Sequence, residues 1–205
     1  MLIQTDYKSI RCRIRPGDII AFSGSGRISR LIQFFTRSGV AHVGIVFEIL
    51  QRDVRRVNLM VSTTLDGMQG VQETYLSERI QTYSGPVWWL PLSEKVRSQM
   101  DQGRFWKALF DANGRPYDYR QVLHHGIDWL RLRSQGESPG RLYCSELCAL
   151  ALKSGYALPV WINSSEVRPD DLCAFRIYSN NYYQLCGKPT EIRRYNSEDP
   201  LLWKN

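Results

Sequence analysis

The chain has 205 residues, 43% hydrophobic and 23% charged, ordinary values for a globular protein that exclude a disordered or fibrous one. A formal charge of +7 and a pI near 9.3 suit an anionic partner such as nucleic acid, an anionic lipid surface or an acidic wall polymer. The basic residues are scattered, however, over Arg11, Arg13 and Arg15, then Arg52, Arg55 and Arg56, then Arg193 and Arg194. This reads as solvated surface charge, and nucleic acid is not expected as a partner.

Five cysteines, Cys12, Cys144, Cys148, Cys173 and Cys186, form an odd set without dense spacing, which argues against a disulfide framework and fits a reducing compartment. The first residues, Met-Leu-Ile-Gln-Thr-Asp-Tyr-Lys, lack the basic region and apolar run of a signal peptide, and no stretch is long enough to span a bilayer. A cytoplasmic protein without a transmembrane segment is the expectation, built as one domain over residues 1–205.

In chain order, Arg15-Pro16-Gly17-Asp18 reads as a turn, and Ile19 to Phe22 as a short apolar strand. Ser23-Gly24-Ser25-Gly26 leads into Ile28, Leu31, Ile32 and Phe35 at helical spacing. Without the lysine of a phosphate loop, the small-residue segment reads as a plain connection. Val43 to Leu50 and Val57 to Thr64 predict a hairpin, and Gly70 to Thr74 and Val87 to Leu90 are further strands separated by a helical turn at Leu76 to Ile80. An antiparallel sheet follows from these. The pattern then predicts a helix from Ser93, as N-cap, to Ala112, ended by Gly114-Arg115-Pro116, and helices at Tyr119 to Leu132 and Cys144 to Ser154. Gly155 is expected as the C′ residue of the last helix, and Phe175 to Leu185 as a hairpin with Asn180-Asn181 at its tip.

Two segments carry chemistry: Ala-His-Val-Gly-Ile-Val-Phe, with His42, and Leu-Tyr-Cys-Ser-Glu-Leu, with Cys144. A cysteine in the first turn of a helix lies beside unpaired N–H groups and the positive end of the macrodipole, which favour the thiolate and can stabilise an oxyanion. Glu146 would oppose this if it faced the sulfur. Cys148, one turn further on, reads as a buried apolar residue, and Cys12, Cys173 and Cys186 as core or surface. His42 opens a strand, where its imidazole could stand at the sheet's end and reach a helix packed across it. His124 and His125 are adjacent in a predicted helix and point about 100° apart, so they cannot serve one site together. No spacing matches a zinc site, and neither a metal nor another cofactor is expected. Glu48 is too far along the strand from His42 to orient its ring, roughly 20 Å, leaving Ser62, Thr63 and Thr64 on the next strand.

Four segments, Pro16-Gly17-Asp18-Ile19-Ile20-Ala21-Phe22, Val40-Ala41-His42-Val43-Gly44-Ile45-Val46, Pro116-Tyr117-Asp118-Tyr119 and Tyr143-Cys144-Ser145-Glu146-Leu147, occur in an order that resembles the circularly permuted branch of the NlpC-type papain-like cysteine peptidases. This group is often called YiiX/YaeF-like and is related to lecithin:retinol acyltransferase-like enzymes. The resemblance implies a papain-like α+β fold, with an antiparallel sheet packed on helices that include the nucleophile helix. It makes Cys144 the nucleophile and His42 the general base, and puts Tyr143, Ser145 and Tyr117 at the oxyanion and substrate positions. Members often carry a glutamate or another polar residue on the strand after the histidine strand. Here that place falls on Val61 or a small hydroxyl residue, with Thr63 and Ser62 ranked first.

The function expected is a cysteine hydrolase, an amidase or peptidase working through a thioester released by water. A lipid acyl hydrolase or acyltransferase of the same fold is the neighbouring alternative, so the substrate is a peptide, an amide or an acyl lipid. Apolar groove walls from Trp88, Trp89, Trp106, Trp129 or Trp161 would suit an acyl chain, although such tryptophans are more often core. A non-catalytic binding module for an anionic partner is the alternative of a different class.

Overall fold

The computed structural model describes residues 1–23, 39–50, 56–63, 70–115 and 144–203. In chain order these form β1 (Leu2–Gln4), α1 (Tyr7–Ile10), β2 (Ile19–Phe22), β3 (His42–Leu50), β4 (Arg56–Thr63), β5 (Gly70–Tyr75), α2 (Leu76–Thr82), β6 (Val87–Leu90), α3 (Glu94–Gln99), α4 (Gln102–Ala112), α5 (Cys144–Ser154), α6 (Pro169–Ala174) and β7 (Tyr182–Cys186), with short 3-10 turns between them. The architecture is α+β. The helices expected around Ile28 to Phe35 and from Tyr119 to Leu132 lie outside the described residues.

The seven strands form one sheet in the order β1-β7-β6-β2-β3-β4-β5. The expected antiparallel sheet is in fact mixed: β1 runs parallel to β7, and every other neighbouring pair is antiparallel. The hairpin expected over Phe175 to Leu185 is also corrected. Only its second half is a strand, inserted between β1 and β6, while Phe175 and Tyr178 make isolated bridges to Glu198 and Leu92. Pairing with two distant strands satisfies the backbone of β7 on both edges, which a lone hairpin cannot do.

Strand alternation divides the core between the two faces of the sheet. Ile19 and Ala21 of β2, Val43, Ile45 and Phe47 of β3, and Trp88 and Leu90 of β6 share one buried cluster with Phe105 and Leu109 of α4 and with α5 and α6. Ile20 and Phe22, Val46, Val57, Leu59 and Val61, and Val87 and Trp89 share the other, with Leu76 of α2 and the N-terminal Tyr7, Ile10 and Ile14.

The single helix expected from Ser93 to Ala112 is two. Ser93 caps α3 as foreseen, its hydroxyl accepting from the Val96 N–H. Met100 then takes an extended conformation, and Asp101 caps α4 by accepting from the Arg104 N–H. A competing cap thus breaks a continuous apolar pattern. The end of α5 differs by one residue: Tyr156, with φ 63°, and not Gly155, takes the left-handed C′ position. Tyr156 and Ala157 donate to the carbonyls of Lys153 and Leu152, the paired bonds of a Schellman ending. Gly155 serves close approach instead, since a Cβ there would lie 3.1 Å from Phe105 Cβ and 3.2 Å from the Asp101 carbonyl oxygen.

Candidate functional site

Helix α5 reads Cys-Ser-Glu-Leu-Cys-Ala-Leu-Ala-Leu-Lys-Ser, and its residues from Cys144 to Ala149, with Ala151 and Leu152, are buried. A helix apolar on nearly all sides belongs inside a protein, and α5 packs against β3, β4, α4 and α6. Cys144 is its first residue, as the sequence suggested, and is 1% exposed. Burial pushes the thiols of Cys148 and Cys173 well up, with neighbouring acidic groups adding to the effect. Both are fully buried, the setting of structural thiols. Cys12 is exposed and Cys186 half-buried.

The other candidates near Cys144 divide. Ser145 is fully buried, and its hydroxyl donates to the Val167 carbonyl oxygen at 2.6 Å, so the side chain fastens α5 to the segment before α6. Glu146 is buried in the first turn of the helix. Tyr143 and Tyr117 lie outside the described residues. Ser62 and Thr63 are in β4, where they pair with Val71 and Gly70 of β5, while the registered β3–β4 pairs run from Ile45↔Met60 to Leu50↔Arg56.

His42 is the first residue of β3 and stands opposite Phe22 of β2. Directly opposed residues share a face, and the two rings lie 5.7 Å apart between centroids. Phe22 belongs to the cluster that includes α2 and the N-terminal segment. Cys144 belongs to the cluster on the other face. By register His42 therefore faces the side of Phe22, at the very start of β3, whereas Cys144 packs in the cluster of the other face.

The residue is half-buried, yet its Nε2 is enclosed and has no hydrogen-bond partner. Burial, with the charge of Arg79 second, lowers the His42 pKa to about 3, so the ring is neutral at physiological pH.

Asp18 was legible only as part of a turn, yet it is a structural centre of this region. Gly17, with φ 87°, allows the turn, and the carboxylate that follows is fully buried. Its Oδ2 accepts from the Arg15 N–H and from Trp89 Nε1, each at 2.9 Å. Its Oδ1 accepts from the Leu92 N–H at 2.9 Å and from Arg97 Nη2. Burial pushes this carboxyl up, while Arg97 and the N–H donors pull it back. Of the tryptophans, Trp88 and Trp89 are core, and Trp106 and Trp161 are exposed; Trp129 lies outside the described residues.

Among the described residues no group of three or more His, Cys, Asp or Glu side chains could hold a metal ion, and no helix is long and apolar enough to cross a membrane. No protein-family model matches the sequence, and no curated protein does. Among solved structures, the chain is similar to the crystal structure of the metalloprotein yiiX from Escherichia coli O157:H7, with 20% identity and a TM-score of 0.47 over 71% of this chain and 68% of that one.

Proposed function

We propose that the protein is a cysteine hydrolase with Cys144 as nucleophile. The observation that carries this reading is the place of Cys144 as first residue of an 11-residue helix packed on the strand that His42 opens. The positive end of the helix macrodipole favours a thiolate at such a position, and N–H groups of a first turn can hold an oxyanion. In the reaction, Sγ bonds to the carbonyl carbon of an amide or ester, the tetrahedral oxyanion collapses, and the leaving amine or alcohol takes up a proton. Water then attacks the thioester, releasing the acid and restoring the thiol.

His42 is the proposed base. Its neutral ring has an unpartnered Nε2, the state in which an imidazole accepts a proton, and a catalytic role is one explanation of an unsatisfied buried nitrogen. For this role the ring has to reach round the end of β3 to the face of α5. Thr63 and Ser62 are the proposed orienting residues, with Tyr143 and Tyr117 beside the substrate.

The second reading is a non-catalytic module, favoured by the register that turns His42 toward the side of Phe22 while Cys144 packs in the cluster of the other face. Alkylation of Cys144 followed against pH separates the two readings. It is done in a Cys12→Ser background, because Cys12 is exposed. A thiolate formed well below pH 8 and slowed by His42→Ala supports the hydrolase. Ordinary thiol reactivity, indifferent to the histidine, supports the module. A screen of wild type against Cys144→Ala on wall-peptide, lipid and model ester substrates then assigns the substrate class.

A further inference from the structure

A cleft of about 510 Å³ opens between the N-terminal turn, the end of β6, the start of α3 and the turn into β7. Its volume is that of a small-ligand site, and all its lining residues lie outside the segments proposed for hydrolysis. Trp89 and Tyr183 form its floor, stacked with centroids 4.7 Å apart, and the bond from Trp89 Nε1 to the buried Asp18 fixes the stack. Arg13 lies over the ring of Tyr183, its Cζ 5.2 Å from the ring centroid, and Nη2 donates to the tyrosine hydroxyl at 2.9 Å. A guanidinium has five N–H donors. Arg13 is therefore held in place with donors left over, and it is exposed.

Arg15 is the second cation of the cleft. Its backbone N–H is tied to Asp18 at 2.9 Å, while its side chain pairs with Glu94. Both partners are open to water, with side chains 43% and 77% exposed, so the pair is exchangeable. Among the described lining residues two arginines stand against one glutamate, an excess of one positive charge. The amides of Asn180 and Asn181 on the facing wall add neutral donors. Aromatic stacking of a ligand is not part of the design, since Trp89 and Tyr183 are buried against each other and under Arg13.

We propose that this cleft binds the oxyanion of a small molecule, a phosphate or a carboxylate, between Arg13 and Arg15, and that Glu94 occupies the Arg15 side of the site until the ligand displaces it. The arrangement accounts for a stacked arginine with idle donors beside an arginine whose ion-pair partner among the described residues is a solvent-exposed carboxylate. Planar guanidinium donors suit either anion. The net positive charge of the whole chain favours its approach.

The test is calorimetric titration of the full chain with inorganic phosphate and, separately, with citrate, at low ionic strength. Saturable binding that weakens with salt is expected. Arg13→Gln and Arg15→Gln should each weaken it by about tenfold or more, the scale of a charge-assisted hydrogen bond. Glu94→Gln should tighten it by about threefold by freeing Arg15, a gain that damage to the fold cannot imitate. Arg104→Gln, at a residue stacked on Tyr156 away from the cleft, should leave it unchanged. Tighter binding of phosphate assigns a phosphate ester, and tighter binding of citrate a carboxylate. Absence of saturable binding to both anions overturns the proposal, as does a Glu94→Gln variant that binds no better than wild type.

Discussion

The two ends of β2 bury ionisable groups under opposite conditions. At one end Asp18 is enclosed and receives four donors, from Arg15, Trp89, Leu92 and Arg97. At the other end His42, opposite Phe22, encloses a ring nitrogen that receives none. A buried polar group that is fully satisfied holds distant elements together, and here it ties the N-terminal turn, β6 and α3 to one point. A buried polar group left unsatisfied costs stability. The same sheet thus contains a carboxylate whose role is structural and an imidazole with an enclosed Nε2 that has no hydrogen-bond partner.

Removing the satisfied group should have the largest effect. Asp18→Ala leaves Arg97 without its carboxylate, its side chain only 11% exposed, and strands Trp89 Nε1 and two backbone N–H groups. Breaking a buried pair in this way costs about 3–5 kcal/mol, read as the shift of the urea midpoint at constant slope. A loss under about 1 kcal/mol would mean that water replaces the carboxylate, and the contrast between the two ends would collapse.

The unsatisfied group should act through pH. The pKa of His42 is lowered from 6.5 to about 3 in the folded chain, so between these values the unfolded chain binds more protons. The stability associated with the neutral ring is therefore fully present above pH 6.5 and is lost as pH falls toward 3. At pH 5 the loss amounts to about 2 kcal/mol, from 1.5 units at 1.36 kcal/mol each. His42→Phe, which suits the aromatic surroundings of Phe22 and Tyr83, should flatten this part of the profile. Urea midpoints at pH 7 and pH 5 measure it, and an equal drop in wild type and variant would show that the nitrogen is hydrated.

How much of this was legible in the sequence follows the range of the interactions. Features set by near neighbours were readable: the Pro-Gly turn, the β3 and β4 strands, the Ser93 cap, and Cys144 as the first residue of a helix. Features set by distant partners were not. Met1–Gln4 gives no strand signal of its own, and β1 exists because β7 offers it an edge. The Asp101 cap interrupts an apolar pattern that looks continuous. The face taken by His42 depends on the register between β2 and β3, which the order of His42 and Cys144 along the chain does not reveal. Asp18 had a signal, a lone acidic residue between a turn and a wholly apolar strand, which marks a carboxylate drawn into the interior.

Ser145 offers the smallest and most local test of the contrast between satisfied and idle groups. The resemblance placed it at the oxyanion position beside Cys144, but its hydroxyl is fully buried and donates to the Val167 carbonyl oxygen, so it belongs with Asp18 and not with His42. Ser145→Ala removes one neutral buried hydrogen bond and should cost about 1–2 kcal/mol. Because the helix N–H groups around Cys144 are untouched, the pH midpoint of Cys144 alkylation should stay where it is. A shift of that midpoint with little loss of stability would return the hydroxyl to the reaction, and an oxyanion site at the start of α5 would then include a side chain that the fold already uses elsewhere.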